Sequence, residues 1–355
     1  YSYASDRNLL TEAKNIWGDD PNDPNNIVSK YTYDHDDLGR AKWVVRQGDA
    51  SFDAFKDDHY EAFTYNDRNE LTKAERYDNT SPPSTTDKDS ASGRGFVVDN
   101  AGNWDWFKPG DDPNTPYITN ALNLYDSIND PNDPEQVVES FTYDLDQNLT
   151  EDGSFEYAYD AENRLIEVVP AEDDPNNLTT DDKKLVFTYD YLNRRVRKVV
   201  DAWDPNEGES GDWSSTAELD LRYMYHENLL LLELDGLDSN AKVRKHVWGL
   251  GSDGRLGGPN SLLAVRDVDG DTNYVCFNNG AGSVAQLLDR SDGSVDAAYV
   301  YDTRGDTVRE NGTYAADNPL RYQAMYCDSV VDYAGSDCDG LYCAADGGSY
   351  LPRLG

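Results

Sequence analysis

The chain has 355 residues, and its 69 Asp and Glu against 31 Lys and Arg give a formal net charge of −38. Phosphate backbones and anionic headgroups are held by clustered Lys and Arg, so this composition excludes nucleic acid and anionic membrane surfaces as partners, and no apolar run approaches the ~20 residues of a membrane span. Tyr is abundant at 25, and with Val, Thr and Phe it suits a pleated, half-buried surface, so a hydrophobic content of only 37% points to a thin β array.

At the N-terminus, Tyr1-Ser2-Tyr3 has no basic stretch followed by an apolar one, so no signal peptide is read there. A start on Tyr reads as a trimmed chain, compatible with secretion. Residues 5–16 allow at most a short helical turn, because their apolar spacing is poor. From Tyr31 onward a tetrapeptide keeps returning: Tyr31-Thr32-Tyr33-Asp34, Phe63-Thr64-Tyr65-Asn66, Phe141-Thr142-Tyr143-Asp144 and Phe187-Thr188-Tyr189-Asp190. Looser copies are Tyr157-Ala158-Tyr159-Asp160, Tyr223-Met224-Tyr225-His226 and Tyr299-Val300-Tyr301-Asp302.

An internal repeat decides architecture before other signals are weighed. In each copy the two aromatics share one face of a strand and Thr takes the other. The acidic residue then opens a turn, since its carboxylate bonds backbone two residues on. Gly39 or Asn148 at the far side of the turn tolerates positive φ. The chain returns as a second strand, such as Leu165-Ile166-Glu167-Val168 or 195–200, so the unit is a β-hairpin. His226 is expected to stand in for the turn Asp. Tyr33, Tyr65, Tyr143, Tyr159, Tyr189, Tyr225 and Tyr301 are expected to form the repeat core.

Inserts rich in Asp, Pro and Asn separate the copies: residues 19–24, 111–114, 130–134, 173–176 and 204–206. Pro stops strand pairing and Asp-Pro favours turns, so these read as solvated loops, with residues 79–95 the longest. The array is placed at residues 1–242. Residues 243–355 differ, gaining Gly, Cys and denser turns, with Asp292-Gly293 predicting a hairpin between strands at 284–288 and 295–301.

Cys276, Cys327, Cys338 and Cys343 cluster in this tail, and their even number fits disulfides in an oxidising compartment, with free buried thiols as the alternative. Asp267, Asp269, Asp271 and Asn273 alternate around Gly270 like the opening of a Ca²⁺ loop, though the closing bidentate Glu is missing; a polar hairpin turn is the simpler reading. Sequons at Asn79, Asn148, Asn177 and Asn311 would accept glycans in a secreted chain. Trp104 and Trp106 could stack on sugar rings or pack within the sheet. Paired carboxylates lie in turns, and no Gly-x-Ser-x-Gly elbow occurs, so no catalytic centre is expected.

The repeats and the tail together resemble the YD-repeat or RHS family. Residues 273–284, Asn318-Pro319-Leu320-Arg321-Tyr322, Gly340-Leu341-Tyr342 and the closing Tyr350-Leu351-Pro352-Arg353-Leu354-Gly355 are similar to its core motif. Departures are Phe277 and Asn279 where His and Asp are usual, and Leu351 where Asp is usual. No Asp-Pro-x-Gly protease motif follows, so self-cleavage is not carried over. The resemblance implies an all-β fold of antiparallel hairpins spiralling into a shell, tube or rod. The function expected is a non-enzymatic, secreted or cell-surface structural protein that self-associates, in fibres. The alternatives are a toxin-enclosing shell without its toxin, and a glycan-binding adhesion module. Divalent cations, Ca²⁺ among them, and glycans are the other expected partners; no membrane insertion is expected.

Overall fold

The computed structural model describes residues 1–49, 51–52, 58–110, 113–171, 177–208, 211–303, 305–328, 341–343 and 350–351. The fold is all-β. Antiparallel strands form two large sheets and a small third one, neighbours follow chain order, and the sheets do not close into a barrel. The described helical structure is two short 3₁₀ turns, Pro24–Asn26 and Tyr322–Ala324. No described helix is long and apolar enough to cross a membrane.

The chain divides into two compact units. The first comprises Tyr1–Val138, Gly249–Leu263 and Tyr274–Gln323. Its hairpins include Ile27–His35 with Ala41–Gln47, His59–Tyr65 with Leu71–Tyr77, Lys88–Val98 with Trp104–Pro109, and Val295–Tyr301 with Thr307–Asn311. Its buried clusters join Ala13, Tyr31 and Ala285; Val28, Phe277 and Leu288; and Val45, Tyr60 and Tyr77. The second comprises Glu139–Trp248, Ala264–Asn273 and Ala324–Gly355. In it Phe155–Tyr159 pairs with Leu165–Pro170, Lys183–Tyr189 with Arg195–Asp204, and Leu219–His226 with Leu229–Asp235.

Period-2 alternation holds in the repeats, but the deeper ring is the first of the two. Tyr31, Phe141, Tyr157, Phe187, Tyr223 and Tyr299 are buried, whereas all seven tyrosines expected to form the core are partly exposed. Thr64, Thr142 and Thr188 face solvent as the alternation requires.

Two segments differ from expectation. Leu10–Ile16 is a strand and carries no helical turn: Ala13 pairs with Tyr31 and is only 1% exposed. Tertiary pairing overrides the helix-compatible Thr-Glu-Ala-Lys run. Within residues 79–95 the loop ends early, because Lys88–Val98 is a long strand whose Ser and Gly residues disguise it. The inserts that are described behave as Asx turns: Asn22 N–H donates to Asp20, Asn25 to Asp23, Asn132 to Asp130 and Asn206 to Asp204.

Candidate functional site

The repeated chemistry is a turn. Among the described residues nine turns share one pattern, opening on Asp36, Asn66, Asp99, Asn120, Asp144, Asp160, Asp190, Asn279 and Asp302. The first residue exchanges backbone hydrogen bonds across the turn, its N–H to the carbonyl four residues on and its carbonyl from the N–H three on. Its side-chain oxygen accepts from the N–H four residues on, as from Arg40, Arg164 and Arg194, and in the first eight turns also from the N–H two on. The fourth residue always has φ between 58° and 97° and is Gly, Asn or Gln. That is the left-handed region that Gly and Asn enter most easily. The pairing register shifts immediately before the turn, a β-bulge that adds local twist.

In five of the nine turns the fifth residue ties the turn to the next hairpin. Arg164 donates Nε to Asp160 Oδ2 at 2.7 Å and Nη1 to the Asp190 carbonyl at 3.2 Å, while its guanidinium lies 5.4 Å from the centre of the Tyr189 ring. Arg40 does the same with Asp36, Asn69 and Tyr65, and Arg194 with Asp190, the Glu227 carbonyl and Tyr225. Where this position is Asn, its amide bridges turn to turn, from Asn103 to Asn123 and from Asn148 to Asn163. The tyrosine before the turn completes the tie. Tyr65 Oη donates to the Ala41 carbonyl, Tyr189 to Leu165, Tyr225 to Arg195 and Tyr301 to Val284, at 2.8–3.0 Å. Each acceptor lies five residues after the opening residue of an earlier turn.

This geometry places the sequence candidates. In the first copy the turn opens on Asp36, two residues past the tetrapeptide; His35 sits where tyrosine is usual, and Asp34 pairs with Lys42 instead. His226 does not replace a turn Asp, because it pairs with Leu229 and Glu227-Asn228 form a tight two-residue turn. The turns at Asp99, Asn120 and Asn279 lie outside the tetrapeptide copies, because no Tyr precedes them. Their signal is an Asp or Asn three residues before Gly or Asn.

Two substitutions test the tie. Asp160→Ala is expected to destabilise its unit by about 1–2 kcal/mol, the range for losing an N-cap carboxylate that serves backbone donors in the same way. Asp160→Asn is expected to keep most of that stability, as Asn66 and Asn120 do in their own turns; equal melting temperatures for all three proteins would refute the role. Tyr189→Phe removes one neutral hydrogen bond and is expected to cost about 1 kcal/mol in urea unfolding.

Of the remaining candidates, Asp267 caps Gly270 and Asp271 faces Arg266, and among the described residues no three acidic, His or Cys side chains converge on a metal position. Cys276 is buried and unbridged, its thiol pushed far up by burial, and Cys327 is buried; Cys338 and the side chain of Cys343 lie outside the described residues. The Asn79 amide donates to Thr86 and that of Asn148 holds the turn, while Asn177 and Asn311 are exposed. Trp104 packs against Phe107 and Tyr117, with centroids 5.8 and 5.5 Å apart, and Trp106 lies on the strand beside it.

Buried charge, which the sequence did not disclose, occurs in both units. In the second, Glu233 is fully buried and accepts from Arg244 at 3.0 Å, His246 at 2.8 Å and Tyr326 at 3.1 Å. Arg195 lies beside them with its guanidinium within 4.9 Å of the Tyr223 and Tyr326 ring centres. In the first, Arg321 of the Asn-Pro-Leu-Arg-Tyr motif is 1% exposed and bonds Glu310, the Asn318 carbonyl and the Ala315 carbonyl. The first unit also holds an aromatic-walled cavity of about 280 Å³ between its hairpins.

No family model matches the chain, and no curated protein matches it significantly. Among solved structures it is similar to a chain of the Photorhabdus luminescens Tc holotoxin pore (14% identity, TM-score 0.37, 91% of this chain and 18% of that one). It is also similar to a chain of the TcdB2-TccC3-Cdc42 structure (14% identity, TM-score 0.36, 91% and 19%). A third likeness is to a porin-like protein from Bacteroides uniformis (8% identity, TM-score 0.24, 78% and 92%). The chain thus spans about a fifth of the length of the toxin-complex chains it matches.

Proposed function

We propose that this chain is a structural scaffold, a wall of tied β-hairpins without enzymatic activity, that works secreted or at the cell surface. The observation that supports this reading is where the repeated polar groups point. Turn carboxylates, turn amides, the fifth-position arginines and the strand-end tyrosines are directed at the backbone of their own or the next hairpin, so the repeat's chemistry builds the wall. The resemblance of its motifs to YD-repeat proteins agrees with such a use. Sheet edges seek partners, and a contact between copies that does not close on itself propagates, so we propose that the subunits associate into fibres. The acidic surface keeps the dispersed chain soluble until they do.

Negative-stain microscopy over a concentration series, with and without Ca²⁺, combined with limited proteolysis, tests both levels. The expected result is a protease-resistant body that forms filaments. Closed particles would shift the reading to a shell around cargo. Dispersed monomers throughout would remove assembly, and rapid digestion across the repeats would remove the scaffold itself.

A further inference from the structure

The cavity of the first unit contains one carboxylate that no wall-building bond explains. Six of the residues lining it are aromatic, among them Tyr33 and Phe63 from one group of hairpins and Tyr299, Tyr301 and Tyr322 from another. The Tyr33 hydroxyl lies close against the Gly280 backbone. A Cβ at Gly280 would lie 2.0 Å from that oxygen, so the close approach requires glycine. Glu61 lines the same cavity, and among the described residues its carboxylate has neither a hydrogen bond nor an ion pair.

The neighbouring cations are committed elsewhere. Arg76, directly opposite Glu61 on the next strand, turns to Asp78 at 3.3 Å and Asp89 at 3.5 Å. Arg94 pairs with Asp302 at 3.2 Å. Arg46 and His59, also on the wall, are buried and have partners of their own. A second polar atom is left over: Thr303 Oγ1, on the same wall, is buried without a hydrogen-bond partner among the described residues.

We propose that this cavity binds a small organic cation, an ammonium bearing apolar substituents, with Glu61 as its counter-charge and the tyrosine and phenylalanine faces as its cage. Aromatic faces attract such cations through their quadrupole, most strongly where water is excluded. The volume lies just under the range for pockets of drug-sized ligands and suits an ammonium of a few carbons. Burial, opposed by Arg76 and Arg94 and reinforced by Asp302, pushes the Glu61 carboxyl up to about 7, so this group titrates near neutrality. A bound cation stabilises the ionised form, and binding therefore weakens as pH falls through that value.

Calorimetric titration with choline and with 3,3-dimethylbutanol, its uncharged isostere, tests the assignment on the full chain. At pH 8 choline is expected to saturate and to bind at least about tenfold more tightly than the isostere. At pH 5.5 its affinity is expected to fall about tenfold, and Glu61→Gln is expected to bind choline more weakly than the unmodified chain does at pH 8, to narrow the gap between the two probes and to lose the pH step, which separates Glu61 from His59 as the titrating group. Equal affinities for the two probes in the unmodified chain, or no saturation by choline at pH 8, would overturn the proposal. If Glu61→Gln fails to fold, the isostere comparison and the pH profile of the unmodified chain decide alone.

Discussion

Replacing Glu233 by alanine lowers the unfolding free energy of the second unit by about 3–5 kcal/mol, the cost of deleting one member of a buried ionic cluster. Glu233 on Leu229–Asp235 is opposed by Arg244 on Ala241–Trp248, and Tyr326 reaches it from Tyr326–Asp328. Without the carboxylate, Arg244 and the His246 ring lose their shared acceptor in a site closed to water. Burial alone would raise the Glu233 carboxyl, but the charge of Arg244 and the bonds from His246 and Tyr326 outweigh it and hold the group down to about 2. A folded value depressed below the unfolded value, near 4.5, means that this stabilisation is complete above about pH 4.5 and is lost as pH falls toward 2. The full contribution is about 3 kcal/mol. Urea unfolding of the unmodified chain and of Glu233→Ala from pH 7 to pH 3 measures it. The two curves are expected to converge on acidification, and a constant gap would refute the assignment.

Arg321→Lys is expected to destabilise the first unit nearly as much as Arg321→Ala, by about 3 kcal/mol or more. The guanidinium uses three separate nitrogens at once, Nε for the Asn318 carbonyl, Nη1 for Glu310 and Nη2 for the Ala315 carbonyl, and lies 5.0 Å from the Tyr299 ring centre. A lysine ammonium keeps the charge but cannot reach this fork of acceptors, and it leaves buried carbonyls unsatisfied. Thermal melts of the two variants would reject this account if the lysine protein matched the unmodified one. The result also bears on the tail motif, because it makes Asn318-Pro319-Leu320-Arg321 a plug around which residues 310–322 fold.

Much of the fold was legible because aromatic alternation and Asp-x-x-Gly or Asp-x-x-Asn turns are local signals. The strand at Val295–Tyr301 and the turn before it were readable from Asp292-Gly293 alone. What local spacing could not reveal was the phase of the first copy, where Asp34 and Asp36 compete and Asp36 wins because its turn has Gly39 at the left-handed position. Leu10–Ile16 was hidden because its partner, not its own pattern, makes it a strand. Glu61 and Glu233 were invisible: in a chain with 69 acidic residues nothing in the sequence marks the few that burial singles out.

Since each turn completes its backbone bonding within five residues, and the tie to an earlier hairpin, where a tyrosine makes it, asks for a single carbonyl, the hairpin is an exchangeable cassette. Where the fifth residue is arginine, as at Arg40, Arg164 and Arg194, a copy that is duplicated or replaced meets its new neighbour through the same guanidinium and the same tyrosine ring. The chain can therefore change in length over evolution without its hairpin junctions having to be redesigned.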